Sequence, residues 1–296
     1  MTNCDLCSNT QEYKIIYNDF IRDGVFGRET SIKHKIVRCR ECGLVRLLNN
    51  QLTIDYYQSD EYRNSYNETS EVSDYVQMHD NEQPPRLQKI SASKFRDKVV
   101  LDYGCGGGSF LDLVYGLSNR TIGIEPFKGY HNSLIKRGHQ VFSSAKNALN
   151  DYRGKVDIIV SFGVLEHVEY PTQYLKDAFK LLKTGGVMYL ETNNLDDIIM
   201  KLDTTACNKF FFRTAHLWYF DRKTLKKISK LSGFSNIKIS FRQNFDLSNT
   251  MMWLRDKKPS GNGKIGFLDK KVNDCWISFL ESKGLADLVC IEMKKK

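Results

Sequence analysis

The sequence lacks the long apolar segments that mark membrane proteins and secreted precursors. Its 296 residues contain no run of about 18 apolar residues, the length that a membrane-spanning helix needs. The first ten residues, MTNCDLCSNT, place no basic segment before an apolar one and so form no secretory signal. Internal repeats and low-complexity tracts are also missing. We therefore expect a cytoplasmic globular protein.

A dense patch of one charge sign is also missing, although the formal net charge is +9. The Lys and Arg residues are scattered, and the one dense run is 294–296 at the end of the chain. This distribution favours a solvated surface and a basic tail. The positive charge is also compatible with two kinds of partner, namely an anionic small substrate such as a nucleotide-linked sugar, and RNA.

The eight cysteines are distributed unevenly. Four of them form two Cys-x-x-Cys pairs near the start, a spacing that lets both thiolates of a tight turn face one ion, and Gly43 suits such a turn. Two such turns supply the four sulfur ligands of a tetrahedral Zn²⁺ site, which leaves no open position for chemistry. The sequence therefore predicts a zinc-ribbon-like region over residues 1–48 with a structural zinc held by Cys4, Cys7, Cys39 and Cys42.

Two alternatives to this zinc site are a pair of unmetallated, reduced turns and a redox function. The second is less favoured, because a redox Cys-x-x-Cys normally stands alone at the start of a helix. Residues 49–96 form a helical, tyrosine-rich connecting segment that Pro84-Pro85 interrupts. Its tyrosines either form a lid over a ligand or dock the segment on the next domain; they are Tyr56, Tyr57, Tyr62, Tyr66 and Tyr75.

From residue 97 to residue 296 the pattern alternates between apolar strands and amphipathic helices, which predicts one doubly wound α/β domain. Residues 183–186 are predicted to form a turn, and residues 244–284 an insertion on the substrate side. The seven predicted strands cover residues 99–102, 121–125, 140–142, 156–162, 187–191, 237–241 and 286–293.

The first of these strands leads into the stretch VVLDYGCGGGSF, in which Asp102 precedes a glycine-rich turn. Glycines in such a turn adopt positive φ and let a ligand lie directly on the backbone. Glu125 ends the second strand, so both carboxylates are expected at the mouth of one crevice. A carboxylate after the second strand can accept both hydrogen bonds from a ribose diol. This combination fits a dinucleotide or S-adenosylmethionine (SAM).

Two features of the turn and one of the later pattern favour SAM. The turn has the spacing Gly-x-Gly-x-Gly after Leu-Asp, rather than Gly-x-Gly-x-x-Gly. Asp102 would repel a pyrophosphate but attract a ligand that carries an ammonium and a sulfonium. Later in the chain come a strand, an acidic and aromatic turn, a helix that ends in Gly-Gly, and a further strand.

Four motifs together resemble class I SAM-dependent methyltransferases, namely VLDYGCGGGSF, IGIEPF, VDIIVSFGVLEHV and LLKTGGVMYLET. The resemblance spans about Val99 to Phe241 and implies a Rossmann-like seven-stranded sheet whose last strand is antiparallel and lies beside the fifth. It implies that Asp102 anchors the amino end of SAM and that Glu125 binds the ribose. The implied cofactor-binding residues are Asp102, Gly104, Cys105, Gly106, Gly108, Glu125, Pro126, Phe162 and Gly163. The loop 143–145 is expected near the adenine.

Methyl transfer to a hydroxyl needs a base that removes the proton. His216 lies in the aromatic stretch FFFRTAHLWYF, where burial would keep a histidine neutral and basic. His167 and Glu166 follow the fourth strand and are further candidates. Each has a structural alternative, since Glu166 can begin a helix, His167 can pack on the cofactor turn, and His216 can tie a loop to a helix. Substrate hydrogen bonds are expected from Asn193 and Asn194, with a pocket completed by Asn244, Asn249, Trp253 and Arg255.

A four-cysteine region before this domain resembles bacterial methyltransferases that act on sugars or nucleotide-linked sugars. Longer sugar C-methyltransferases of this kind carry a further C-terminal domain that is not found here, so O-methylation is the expectation. The sequence thus predicts a SAM-dependent enzyme with a small-molecule acceptor, and it does not favour a nucleic-acid partner. Alternatives are an RNA or protein methyltransferase that docks through the zinc ribbon, and a non-catalytic binding protein.

Overall fold

The computed structural model describes residues 4–8, 12–48, 59, 69, 71–202, 204–258 and 263–296, without the side chains of residues 204 and 205. The chain divides into two compact units. The cysteine unit, which holds both Cys-x-x-Cys pairs, comprises residues 1–50, 191–227 and 239–290. The glycine unit, which holds the glycine-rich turn, comprises residues 51–190, 228–238 and 291–296.

Four antiparallel strands form a sheet in the cysteine unit, in the order β1 (Tyr13–Asp19), β2 (His34–Cys39), β3 (Val45–Leu47) and β9 (Trp218–Tyr219). The strand β9 comes from much later in the chain and pairs with β3 through Val45 and Tyr219. Apolar residues of this sheet and its neighbours form a buried cluster that includes Ile21, Ile36 and Phe212. Burial of this cluster stabilises a region whose separate pieces are too short to fold alone.

A second sheet contains seven strands among the described residues, in the order β10-β11-β8-β7-β4-β5-β6. The strands β4, β5, β6 and β7 run parallel. At one end of β8 the amide of Gly185 donates to Lys295, and at the other Asn194 donates to Asp287, so β11 runs antiparallel to β8. The predicted Rossmann-like seven-stranded fold is confirmed. The strands are β4 (Val99–Tyr103), β5 (Arg120–Ile124), β6 (Gln140–Phe142), β7 (Val156–Phe162), β8 (Leu182–Asn193), β10 (Ser235–Arg242) and β11 (Leu288–Lys294).

The α-helices of the described chain are α1 (Val72–His79), α2 (Gln83–Ile90), α3 (Ser109–Tyr115), α4 (His131–Lys136), α5 (Ala145–Tyr152), α6 (Pro171–Leu181), α7 (Ile199–Leu202), α8 (Thr204–Phe211), α9 (Arg222–Leu231), α10 (Leu247–Asp256) and α11 (Lys270–Lys283). Short 3₁₀ helices cover Asp80–Glu82, Ala92–Phe95 and Lys128–Tyr130. None of the helices in the described ranges has the length and apolar character that crossing a membrane requires.

The predicted turn at residues 183–186 is wrong, because these residues lie within β8. The backbone of Gly185 and Gly186 exchanges hydrogen bonds with Lys295, which continues the pairing of β8 with β11. Gly185 has a φ of +80°, a conformation that only glycine adopts readily. The two glycines therefore allow an irregular strand here rather than ending one.

Two predicted features fall partly outside the described residues. Of the tyrosine-rich segment, Tyr56, Tyr57, Tyr62 and Tyr66 lie outside, and Tyr75 lies inside on α1. Residues 259–262 of the insertion also lie outside. The division into domains at residues 48 and 96 stays a prediction.

Candidate donor site and cysteine cluster

The glycine-rich turn connects β4 to α3 in the glycine unit. Gly104, Gly106 and Gly108 have φ values of +90°, +52° and +92°, which explains why the turn needs glycine at these positions. The amides of Gly104 and Cys105 both donate to the carbonyl of Ile124 at the end of β5. The amide of Gly108 donates to Cys105 at 2.9 Å and closes the turn directly before α3 begins.

Asp102 is buried at the carboxyl end of β4. Burial raises the pKa of this carboxyl to about 7, and the positive charge of Arg86 opposes the rise while Glu125 adds to it. Arg86 and Glu125 act on Asp102 through their charges, but no described residue forms a hydrogen bond with its carboxyl. A buried carboxylate in this state is costly, so a cationic ligand would find an unused acceptor here.

Glu125 holds the turn with both carboxylate oxygens. Its Oε2 accepts from the amide of Gly106 at 3.0 Å, and its Oε1 accepts from the amide of Phe127 at 2.8 Å. Each carboxylate oxygen can accept more than one hydrogen bond, so bonding to the turn does not by itself prevent contact with a ligand hydroxyl. The same residue therefore shapes the turn and presents acceptors at the end of β5.

The other predicted cofactor residues differ in what their side chains do. Cys105 is buried with its Sγ against Gly123 of β5, so only its backbone belongs to the turn surface. Gly163 has a φ of +68° and is exposed, with open space where a Cβ would be. Pro126 is half-buried directly after Glu125. The loop serines 143 and 144 accept from the side chain and the backbone amide of Asn147, so α5 uses both hydroxyls.

Two residues of the segment 49–96 lie near the turn: Tyr75, which the sequence analysis named as a possible lid residue, and Arg86, which it did not identify. The ring of Tyr75 lies so close to Gly106 and Gly107 that a Cβ on either glycine would collide with it. The guanidinium of Arg86 lies 4.8 Å from the centre of the Phe162 ring, a cation–π contact, and its charge acts on Asp102. The mixed tyrosines and prolines of residues 49–96 gave no periodic signal that would have marked Arg86 for this site.

The candidate bases lie in different units. In the cysteine unit His216 is only 2% exposed, and its Nδ1 lies 3.3 Å from Nδ2 of Asn193. If the side-chain nitrogen of Asn193 faces the ring, it donates to Nδ1 of His216, and the ring proton is on Nε2. If the Asn193 amide is rotated so that its oxygen faces the ring, Nδ1 donates to that oxygen and Nε2 carries the basic lone pair. In the glycine unit Glu166 is buried, and the amide of His167 donates to Val164 in the turn after β7. These three assignments stay predictions.

Several expected acceptor-binding side chains have structural partners within the cysteine unit. The side-chain amide of Asn194 is completely buried and donates to the carbonyls of Gly284 and Ala286. Asn244 donates to the carboxylate of Asp287, and Arg255 pairs with the adjacent Asp256. These contacts explain the presence of the side chains without a ligand.

The four predicted zinc ligands come together in the cysteine unit, with all four Sγ atoms within 4.8 Å of one another. The Sγ atoms of Cys4 and Cys42 are 3.4 Å apart, and those of Cys7 and Cys39 are 3.5 Å apart. The two turns have the same backbone design: Ser8 donates to Cys4, Gly43 donates to Cys39, and both donors have positive φ. Ser8 thus has the backbone role that the sequence assigned only to Gly43.

The cysteine unit also contains a buried ion pair. Arg242 donates from Nε and Nη2 to the two carboxylate oxygens of Glu191 at 2.7 and 2.8 Å. Burial alone would lower the pKa of Arg242, but the hydrogen bonds and charge of Glu191 hold it above its usual value. Nearby, burial raises the pKa of Asp287 to about 7 and that of Asp197 to about 8. Arg242 and Glu191 thus match each other in charge and in hydrogen-bonding groups.

Comparison with known proteins agrees with this geometry. A family model described as "Methyltransferase domain" matches residues 77–239. A mitochondrial ubiquinone biosynthesis O-methyltransferase of Candida albicans is 35% identical over 109 residues, which cover 33% of this chain and 33% of that protein. The ubiquinone biosynthesis O-methyltransferase of Shewanella halifaxensis is 28% identical over 123 residues, covering 38% and 52%. The chain thus spans about a third to a half of the length of these relatives.

A crystal structure of a SAM-dependent methyltransferase from Archaeoglobus fulgidus shares the fold. It matches with a TM-score of 0.52 and 18% identity, over 81% of this chain and all of that chain. The family match covers more than half of the residues and includes the glycine turn, Glu125 and the strands that position them. The chain therefore belongs to the methyltransferase-domain family, which is the enzyme class that its four motifs predict.

Proposed function

We propose that the protein transfers a methyl group from SAM to a hydroxyl of a small molecule. The observation that carries the proposal is the pair of carboxylates at the ends of β4 and β5: Asp102 has no hydrogen bond among the described residues, and Glu125 accepts from the backbone of the glycine turn. Asp102 would hold the ammonium of the donor, Arg86 would hold its carboxylate, and Glu125 would accept the ribose hydroxyls. When bound, SAM supplies an electrophilic methyl group on its sulfonium.

The residues fit this donor on two structural grounds. The positive φ of Gly104, Gly106 and Gly108 forms a turn without Cβ atoms at these positions, and the ring of Tyr75 packs directly on its backbone at Gly106. The hydroxyl of Ser109, directly after the turn, is buried and has no hydrogen-bond partner among the described residues. Both features are typical of a surface that a ligand covers.

For the acceptor side we propose His216 as the base that takes the hydroxyl proton on Nε2. Asn193 would hold the ring in the tautomer with Nδ1 protonated, which requires its side-chain oxygen to face Nδ1. His216→Gln is then expected to lower kcat by about 100-fold or more without changing the affinity for the donor. His167→Gln is the matched variant: if it alone lowers kcat, the assignment to His216 is wrong.

The acceptor that we propose is a sugar or nucleotide-linked sugar. The curated relatives are named for ubiquinone biosynthesis, so a phenolic hydroxyl is the second candidate. A panel of nucleotide sugars and catechols, assayed for release of S-adenosylhomocysteine (SAH), distinguishes the two. Methylation of RNA or protein alone, with no release from any small hydroxyl compound, would contradict the proposal.

The donor site can be tested without knowing the acceptor. Glu125→Ala is expected to weaken SAH binding about 100-fold in calorimetry, because two charge-assisted hydrogen bonds are lost. Glu125→Gln keeps the shape of the side chain and should fall between wild type and Glu125→Ala. Glu29→Ala, on a surface pair with Lys209 in the cysteine unit, is the control. An unchanged affinity in Glu125→Ala would remove the ribose assignment.

We also infer that Cys4, Cys7, Cys39 and Cys42 bind one structural Zn²⁺. A tetrahedral site with Zn–S bonds near 2.3 Å has sulfur–sulfur separations of about 3.8 Å, and all separations in the cluster are below 4.8 Å. Metal analysis of protein purified without added zinc should find one equivalent, and Cys42→Ser should reduce it. Absence of metal from folded wild-type protein would refute the site, and Cys275→Ser, on an exposed thiol, is the control.

A further inference from the structure

Arg137, directly after α4, connects the glycine turn to the rest of the glycine unit. Its Nη2 donates to the carbonyl of Gly107, and its Nη1 donates to the carboxylate of Asp112 on α3. A Cβ on Gly108 would lie 3.4 Å from the same guanidinium. The side chain of Arg137 therefore lies along the backbone of the turn at Gly107 and Gly108.

A row of polar side chains holds this guanidinium in place. The second oxygen of Asp112 lies 2.8 Å from Nε2 of His139. The Nδ1 of the same histidine lies 2.8 Å from the hydroxyl of Thr121 on β5. His139 and Thr121 are buried, and a buried hydrogen-bonded row of this kind has little freedom to rearrange. The row thus links the turn to a central strand of the sheet.

The hydrogen bond to Gly107 acts on the peptide that closes the turn. Because a peptide group is planar and trans, fixing the carbonyl of Gly107 also fixes the direction of the Gly108 amide. That amide donates to Cys105 and closes the turn. Glycine has more backbone freedom than any other residue, so the turn can leave this conformation easily. The hydrogen bond from Arg137 to Gly107 therefore has its largest effect at this point of the chain.

We propose that Arg137 is a positioning residue that holds the glycine turn in the shape that binds the methyl donor. The proposal rests on the donor site proposed above, and it adds a residue from outside every motif of the family resemblance. Asp112 and His139 orient Arg137 rather than contact the donor. Only a guanidinium presents two donors in a planar fork that reaches a carboxylate and a carbonyl together.

The test compares SAH binding by calorimetry in wild type, Arg137→Lys and Arg137→Ala. The expected result is about a tenfold weaker affinity for both variants, with partial recovery of Arg137→Ala when guanidinium ion is added. Amide hydrogen exchange of Gly106, Gly107 and Gly108 should accelerate in the variants. The control is Arg120→Lys, which removes a guanidinium that bonds to Tyr152 in the same unit, away from the turn.

The outcomes separate this proposal from the donor site on which it rests. A folded Arg137→Lys with wild-type SAH affinity and wild-type glycine exchange would overturn the positioning role while the donor site stands. Failure of wild-type protein to bind SAH would overturn the donor site itself. If the Arg137 variants do not fold, Asp112→Asn is used instead, since it loosens the guanidinium and keeps its bond to Gly107. It should weaken binding about threefold, and no change in affinity would again overturn the role.

Discussion

The two units contain buried carboxylates with opposite surroundings. In the cysteine unit Glu191 receives two hydrogen bonds from Arg242 on its two oxygens. In the glycine unit Asp102 receives none from the described residues, and Arg86 acts on it only through its charge. Both carboxylates follow apolar residues in a strand of the same sheet, and both are about equally buried.

The difference separates a structural charge from one available to a ligand. The charge of Glu191 is matched by Arg242, which donates to both of its oxygens, so Glu191 contributes to the fold and offers little to a ligand. The charge of Arg86 offsets only part of the cost of burying Asp102, and no other described residue offsets the rest. Binding of a cation at Asp102 would offset that cost. Substitutions at the two sites should therefore change stability in opposite directions.

The largest effect is expected from breaking the matched pair. Arg242→Met leaves the Glu191 carboxylate buried without its positively charged partner, so the free energy of unfolding should fall by about 3–5 kcal/mol. Urea denaturation followed by circular dichroism measures this change. The double variant Arg242→Met with Glu191→Leu removes both charges and should recover most of the loss. A loss below about 1 kcal/mol in Arg242→Met would show that the pair is not different from a surface ion pair.

The opposite sign is expected at Asp102. A pKa near 7 instead of 3.8 means that the ionised form costs on the order of 4 kcal/mol at pH 8. Asp102→Asn removes this charge but leaves a buried amide, so the variant should be more stable by about 1–3 kcal/mol at pH 8. Its affinity for SAH should fall by about tenfold or more, because a charged partner of the ammonium is lost.

The stability and the SAH affinity of Asp102→Asn together test the comparison between Asp102 and Glu191. Stability measured by urea at pH 8 and SAH affinity measured by calorimetry must change in opposite directions if Asp102 serves the ligand. A variant that loses stability and keeps its affinity would place Asp102 with Glu191 among structural charges. Asp177→Asn, on a surface ion pair with Lys180, is the control for loss of one carboxylate in the same unit.

The sequence predicted several strands and the glycine turn of the glycine unit because their determinants are local. The strands at residues 140–142 and 156–162 have the predicted bounds. The positive φ of Gly104, Gly106 and Gly108 follows from one short stretch of sequence. Apolar runs for buried parallel strands and glycine for positive φ are single-position or single-segment signals.

What the sequence did not predict depends on contacts between distant segments. Arg137 meets Gly107 thirty positions away in the chain, and no local pattern marks either residue for the other. The strand β9 has only two residues and exists because it pairs with β3. Asn194 was expected to bind substrate, but the carbonyls of Gly284 and Ala286 use its amide. Such partners are determined by the tertiary fold and not by the local sequence.

The smallest expected effect is a pH dependence that Asp102 can produce and the ion-paired Glu191 cannot. Between pH 4 and 7 native Asp102 keeps a proton that the unfolded chain has lost, so its contribution to stability decreases as the pH rises through this range. Donor affinity should follow the opposite course, since the ammonium of SAH favours the ionised carboxylate. From pH 6 to pH 8 the affinity should rise by about tenfold, and Asp102→Asn should remove the rise. An equal rise in wild type and variant would assign the titration to another group and leave Asp102 without the role proposed for it.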